Sequence, residues 1–214
     1  MILVTGAAGY LGQKVIAGLM ARGPGFWATS RDGTCGSACD LTDELAVRRL
    51  LQAVAPTRII HCAAVVPTCP EDYHSMPFAM LSMRMTLYLC VAACPITFAS
   101  SLTAADPSRS AYAAGKRCAE MVLEARRHAG DRIIRLPGLY GLPRRSGDLY
   151  EDARTGRARG GDPSWEVMHV IDAAEWLISG ELDLPDGTAV MTRALGRWQQ
   201  FVEDVRQDLI VRTP

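Results

Sequence analysis

The chain has 214 residues, about half of them apolar, with 23 basic and 23 acidic side chains. That length carries one domain, or one domain with a small lobe, and a sizeable core without staples. The balanced charge excludes a general electrostatic footprint for nucleic acid or a membrane surface.

Strand-like and helix-like segments alternate from the first residue. Ile2–Thr5 reads as a strand and Tyr10–Ala21 as a helix ended by Arg22-Gly23. Residues 25–30 form a second strand, and Thr42 is expected to cap a helix over 43–54. Residues 58–62 form a strand, 78–93 a methionine-rich helix, 96–100 a strand, 111–128 a helix and 132–136 a strand. This order predicts an α/β fold, a doubly wound parallel sheet of Rossmann type. The apolar run 76–94 has Arg84 at its middle and Pro77 and Pro95 at its flanks. It is expected to be a buried or dimer-interface helix rather than a membrane span.

Beyond Gly141 the texture changes. Arg144, Arg145, Arg154, Arg157 and Arg159 alternate with glycines in a basic stretch. It reads either as a solvated loop or as a lobe whose arginines meet phosphate or carboxylate. Short strands are expected at 165–171 and 189–192, and helices at 173–179 and 198–209. The division is therefore residues 1–141 as a nucleotide-binding domain and 142–214 as a small substrate lobe interleaved with it.

The seven cysteines are odd in number and show no zinc-ligand spacing, so no metal site is expected and a reducing cytoplasm fits best. The N-terminus is apolar but short and lacks a basic region, so no signal peptide is expected.

Three motifs carry chemistry. Gly6-Ala-Ala-Gly9-Tyr-Leu-Gly12 joins the first strand to the first helix, where glycines let backbone approach a pyrophosphate and the helix N-terminus supplies N–H donors. At the end of the second strand, Thr29, Ser30 and Arg31 favour NADP over NAD, because an arginine there accommodates a 2′-phosphate; Asp32 keeps NAD open. Tyr112 and Lys116 stand four apart, hence on one helical face. A free phenol has a pKa of about 10, and a neighbouring cation brings it towards working range. The strand before them ends in Ser100 and Ser101, between which the residues alone do not choose.

In this order the motifs resemble the extended short-chain dehydrogenase/reductase family, of NAD-dependent epimerase/dehydratase type. The likeness continues in Asp40-Leu41-Thr42-Asp43, His61-Cys62-Ala63-Ala64, Phe98-Ala-Ser-Ser101, Arg135-Leu136-Pro137-Gly138-Leu-Tyr140-Gly141 and Met168-His-Val-Ile-Asp172. The texture is similar to the branch of dTDP-4-dehydrorhamnose reductase-like proteins. The resemblance implies Tyr112 as general acid, Lys116 on the nicotinamide ribose and Ser101 on the substrate oxygen. It further implies a cofactor held by Gly6, Ala8, Gly9, Tyr10, Leu11, Gly12, Arg31, Asp40, Leu41, Cys62, Ala63, Ala64, Leu136 and Pro137. Val66, Gly138, Arg144 and Arg145 fall on the substrate side, beside Ser101. From the His61 imidazole, structure rather than chemistry is expected.

The implied activity is reduction of a small-molecule carbonyl, on a nucleotide sugar or a similar polyol-like compound. An epimerase or dehydratase that retains NAD, and a non-catalytic NADP-binding regulatory protein, are the alternatives. Relatives dimerise through the helices over 78–93 and 111–128, which implies a homodimer; burial within one protomer explains the same apolarity. Three departures bear on the substrate. Ser101 precedes Tyr112 by eleven residues, without the family's longer loop carrying Tyr-Gly. Ser82 and Gly138 stand where relatives often have Asn, and the lobe is short.

Overall fold

A computed structural model describes residues 1–66, 71–141, 153, 166–179, 187–190, 196–197, 201–203 and 205. Its centre is a parallel sheet of seven described strands. They are β1 (Ile2–Thr5), β2 (Phe26–Ser30), β3 (Ser37–Ala38), β4 (Arg58–His61), β5 (Ile96–Ser101), β6 (Arg132–Leu136) and β9 (Gly187–Val190), in the order β3-β2-β1-β4-β5-β6-β9. The order reverses direction at β1, whose neighbours are β2 and β4. A crevice opens at such a switch point, outside the C-terminal ends of the strands. A smaller sheet joins β7 (Gly138–Tyr140) in parallel and β10 (Gly196–Arg197) antiparallel to β8 (Glu166–His169).

The central strands β1, β4, β5 and β6 are mostly buried on both faces, as continuous apolar runs in parallel sheets are. Successive side chains feed opposite cores: Leu3, Ile59, Phe98 and Ile133 enter one, Val4, Ile60, Ala99 and Ile134 the other. The first core is closed by α2 (Glu44–Val54), α3 (Met76–Leu89) and α4 (Ala111–Arg126), through Val47, Leu50, Met85, Leu89, Ala119 and Leu123. The second is closed by α1 (Tyr10–Ala21) and α5 (Val170–Ser179), through Val15, Leu19, Ala173, Ala174 and Leu177.

Some local expectations are corrected. Asp43, not Thr42, caps α2, accepting the Leu45 and Ala46 amides at 2.8 and 3.2 Å. Thr42 is held elsewhere: the Asp40 carboxylate accepts its amide at 2.9 Å and its hydroxyl at 2.7 Å. Helix α3 spans Met76–Leu89 rather than 78–93. Pro77 sits in its first turn, where a missing N–H costs nothing. The apolar residues after Leu89 serve a turn, whose Ala92 and Cys94 carbonyls accept from Arg126. The expected strand 165–171 is Glu166–His169, because α5 already begins at Val170. The helix expected over 198–209 falls mostly outside the described residues, as do Arg144 and Arg145.

Candidate active site

A cavity of about 960 Å³ runs over the C-terminal ends of β2, β1, β4, β5 and β6. One end is built by the glycine loop. Gly6 has φ +72°, in the left-handed region, and a Cβ there would lie 2.5 Å from the Ala63 amide nitrogen. Glycine therefore lets β1 and β4 close together beneath the cradle. Helix α1 starts at Tyr10 with Gly9 as its cap and no side-chain cap bond, so its positive end borders the cavity. The Tyr10 hydroxyl donates to the Gly141 carbonyl at 2.9 Å, tying this loop to the exit of β7.

At the β2 end, Arg31 and Asp32 both line the cavity. Asp32 is committed to its own turn, its Oδ1 accepting from Ser30 Oγ, Thr34 N and Thr34 Oγ1 at 3.3, 3.1 and 2.8 Å. The Thr34 hydrogen bonds hold its pKa low. Arg31 is exposed. Asp40 is likewise kept low, first by the Thr42 hydrogen bonds and in smaller part by the Arg31 charge.

The opposite end gathers the reactive groups. Ser110 caps α4, accepting the Ala113 amide at 3.1 Å, which sets the first turn carrying Tyr112. Lys116, one turn on, is buried, and its Nζ donates to the Ala99 carbonyl at 2.7 Å and stands 4.8 Å from the Phe98 ring centroid. Burial pulls its pKa down to about 8, with Cys62 and Glu120 pulling the other way. Burial pushes the Cys62 thiol up to about 12, against the pull of the Lys116 charge.

The two serines part company. Ser100 is buried and donates to Glu120 Oε1 at 2.6 Å. Ser101 is half-buried; its Oγ lies 2.9 Å from Thr103 Oγ1 and accepts the Thr103 amide at 3.3 Å. Both border the cavity.

Glu120 continues the face of Tyr112 and Lys116 by one more turn and is fully buried. Arg135 grips it with two bonds of 2.8 and 2.6 Å, and Arg117 adds a third at 3.1 Å. Burial alone would raise its pKa, but the Arg135, Ser100 and Arg117 bonds prevail and lower it. Arg135 is thus an ion-pair residue that fixes β6 to α4. His61 is buried between Thr5 Oγ1 at 2.7 Å and Thr86 Oγ1 at 3.2 Å, and is stacked on Phe98. Burial, then the Lys116 charge, pull its pKa down to about 3, so it stays neutral.

The cavity brings together Gly6, Ala8, Gly9, Tyr10, Leu11, Gly12, Arg31, Asp40, Leu41, Cys62, Ala63, Ala64, Val66, Ser101, Tyr112, Lys116, Leu136, Pro137 and Gly138. Sequence reasoning missed Thr103, Tyr73 and Glu120. Only Glu120 carried a signal, its four-residue spacing from Lys116. Among the described residues no cluster of His, Cys, Asp and Glu suits a metal ion, and no helix is long and apolar enough to cross a membrane.

The profile of the NAD dependent epimerase/dehydratase family matches residues 2–178. Among solved structures, the chain is similar to UDP-glucose 4-epimerase of Thermotoga maritima, solved with UDP-glucose (19% identity, TM-score 0.77, covering 100% of this chain and 84% of that one). It is similar to dTDP-4-dehydrorhamnose reductase of Bacillus anthracis in complex with NADP (17%, 0.73, 100% and 82%). It is also similar to the Bordetella bronchiseptica enzyme WbmH in complex with NAD+ (16%, 0.76, 100% and 82%). These likenesses establish the fold. Comparison with curated protein sequences gives no match.

Proposed function

The chain belongs to the NAD dependent epimerase/dehydratase family and is an enzyme of that type; on that premise we propose that it is an NADP-dependent reductase of a carbonyl on a nucleotide sugar or similar polyol-like molecule. The observation that carries this reading is the buried Lys116, anchored on Ala99 one turn from Tyr112 in the same cavity as the glycine loop. The glycine loop lining one end of the cavity and the positive end of α1 suit a dinucleotide diphosphate. Gly6, Ala8, Gly9, Tyr10, Leu11 and Gly12 would hold that diphosphate, Asp40 and Leu41 the adenine, and Cys62, Ala63, Ala64, Leu136 and Pro137 the nicotinamide channel. Bound there, the nicotinamide supplies the hydride.

The chain's own groups handle the proton and the oxygen. Tyr112 Oη gives its proton to the carbonyl oxygen as that oxygen becomes an alkoxide. The Lys116 cation favours the phenolate left behind and would hold the nicotinamide ribose of a bound cofactor. Ser101, oriented by Thr103, donates to the same oxygen and fixes its position. Ser100 is spent on Glu120, which favours Ser101 for this role. Arg31 is the reader of a 2′-phosphate, supported by its exposure at the cavity edge and by the commitment of Asp32 to its turn.

The dTDP-4-dehydrorhamnose reductase and UDP-glucose 4-epimerase among similar structures support a nucleotide-sugar substrate. Incubating enzyme and NADPH with a panel of keto nucleotide sugars tests the reaction. Stoichiometric loss of nicotinamide absorbance is expected. Conversion with no net loss would replace reduction by epimerisation or dehydration, and NADPH that fails to raise the melting temperature would sink the reading. The exposed Met76, Met80, Leu87 and Val91 of α3 and its following turn, with Met121 of α4, support a homodimer through these helices. A monomeric mass by light scattering at micromolar concentration would overturn it. Free cysteines among the described residues favour a reducing, cytoplasmic setting.

A further inference from the structure

The substrate end of the cavity has an aromatic wall that neither the motifs nor the reaction accounts for. Tyr73 stands in the short helical turn Glu71–His74 just before α3. Its ring meets the Tyr112 ring edge-on, with centroids 6.4 Å apart and planes at 68°. It lines the cavity together with Val66, and the two remain 39% and 45% exposed. Large apolar groups left in water beside a reactive pair are a surface that a ligand covers.

The backbone explains why Tyr73 is there. Helices α3 and α4 touch at Ala79 and Gly115, so closely that only a glycine fits in α4. Ala79 lies six residues after Tyr73, and Gly115 three after Tyr112. The crossing therefore carries the turn before α3 over the first turn of α4. On the other side of Tyr112, the eleven-residue path from Ser101 is used up by two short turns, Leu102–Ala105 and Pro107–Arg109. Ser101 and Asp106 cap those turns, and of their residues Leu102 and Thr103 reach the cavity. That side offers the hydroxyl residues Ser101, Thr103 and Ser110 and the aliphatic Leu102, and no ring.

We propose that Tyr73 is the specificity-determining residue of the site, its ring packing against the C–H face of the substrate's sugar ring while that ring's carbonyl meets Tyr112 and Ser101. This rests on the nucleotide-sugar reading above. An aromatic face matches the apolar C–H patch of a pyranose. The packing holds the reacting carbon against Tyr112 and acts on the sugar, not on the nucleotide or the cofactor.

Saturation-transfer NMR with UDP-glucose as probe, in the presence of NADP+, tests this on wild type, Tyr73→Ala and Tyr73→Phe. Wild type and Tyr73→Phe should transfer saturation to glucose-ring protons. Tyr73→Ala should lose most of that transfer, at least about fivefold, while uridine protons and NADPH affinity stay within about twofold. Glucose transfer unchanged in Tyr73→Ala, or absent from wild type, overturns the proposal. Equal losses in Tyr73→Phe and Tyr73→Ala also overturn it, since the phenol oxygen would then be the contact. A loss of NADPH affinity in Tyr73→Ala would place the ring on the nicotinamide instead and overturn it too. NADPH titration of wild type reports separately on the cofactor-binding reading.

Discussion

A Cβ on Gly115 would lie 2.6 Å from the carbonyl oxygen of Ala79. The obstacle is backbone, so α3 as a whole must shift to admit a methyl group. Gly115→Ala is predicted to cost about 1–3 kcal/mol in spite of the better helix propensity of alanine. Urea unfolding checks this, and a variant as stable as wild type would show that the two helices slide freely.

Glu120 accepts from Arg135, Arg117 and Ser100 while fully buried. Removing one partner of such a pair strands the other charge. Glu120→Ala is expected to lose about 3–5 kcal/mol. The double variant Glu120→Ala/Arg135→Ala should recover at least about 1 kcal/mol of the summed single losses. Strict additivity in a double-mutant cycle would show that the two groups act independently.

Tyr112→Phe is predicted to lower turnover by about 10²–10⁴-fold, the usual weight of a positioned proton donor. NADPH affinity should stay nearly unchanged. Retained turnover would remove Tyr112 from the proposed chemistry.

Arg31→Ala should weaken NADP+ more than NAD+, because only the former carries the 2′-phosphate. A loss of about tenfold or more for NADP+, with NAD+ little changed, is expected by calorimetry. Equal losses would assign Arg31 to the general field of the cavity and reopen the NAD reading.

His61 gives the acid limb of stability a sign. Its pKa is about 3 in the fold against an ordinary 6.5. Between those values the unfolded chain holds a proton that the folded chain lacks. Stability therefore falls as pH drops through that window. His61→Gln keeps a polar group between Thr5 and Thr86 but has no proton to gain. Comparing urea unfolding at about pH 7 and about pH 4.5, wild type should lose on the order of 2 kcal/mol more than the variant. Parallel losses would mean that His61 is reached by solvent.

The parallel sheet and the glycine loop were legible in the sequence because each rests on local pattern: apolar runs spaced by helical segments, and glycines where the backbone must turn. The pair Tyr112 and Lys116 was legible for the same reason, since four residues in a helix define one face. Tyr73 was not. Its place over Tyr112 depends on the close crossing at Ala79 and Gly115, a contact between helices that no local spacing encodes. The bond from Ser100 to Glu120 was equally hidden, because it depends on α4 packing against β5; in the sequence, Ser101 rests on the family resemblance alone. Thr42 misled because a hydroxyl before a helix resembles a cap, and only the nearby Asp40 carboxylate shows that it is already engaged.

The division of side chains between the two cores makes misregistration self-reporting. Leu3 and Val4, Ile59 and Ile60, Phe98 and Ala99, and Ile133 and Ile134 each send neighbours to opposite sides of the sheet. A strand displaced by one residue would exchange its contributions to both cores at once. In β5 that exchange would drive Phe98 into the space shaped for Ala99 and leave a void on the far side, beneath Lys116. A faulty pairing would therefore be rejected by two separate packing surfaces, and the lysine would be mis-seated in the same stroke. Assembly of the sheet and assembly of the reactive centre are then checked by a single geometric condition.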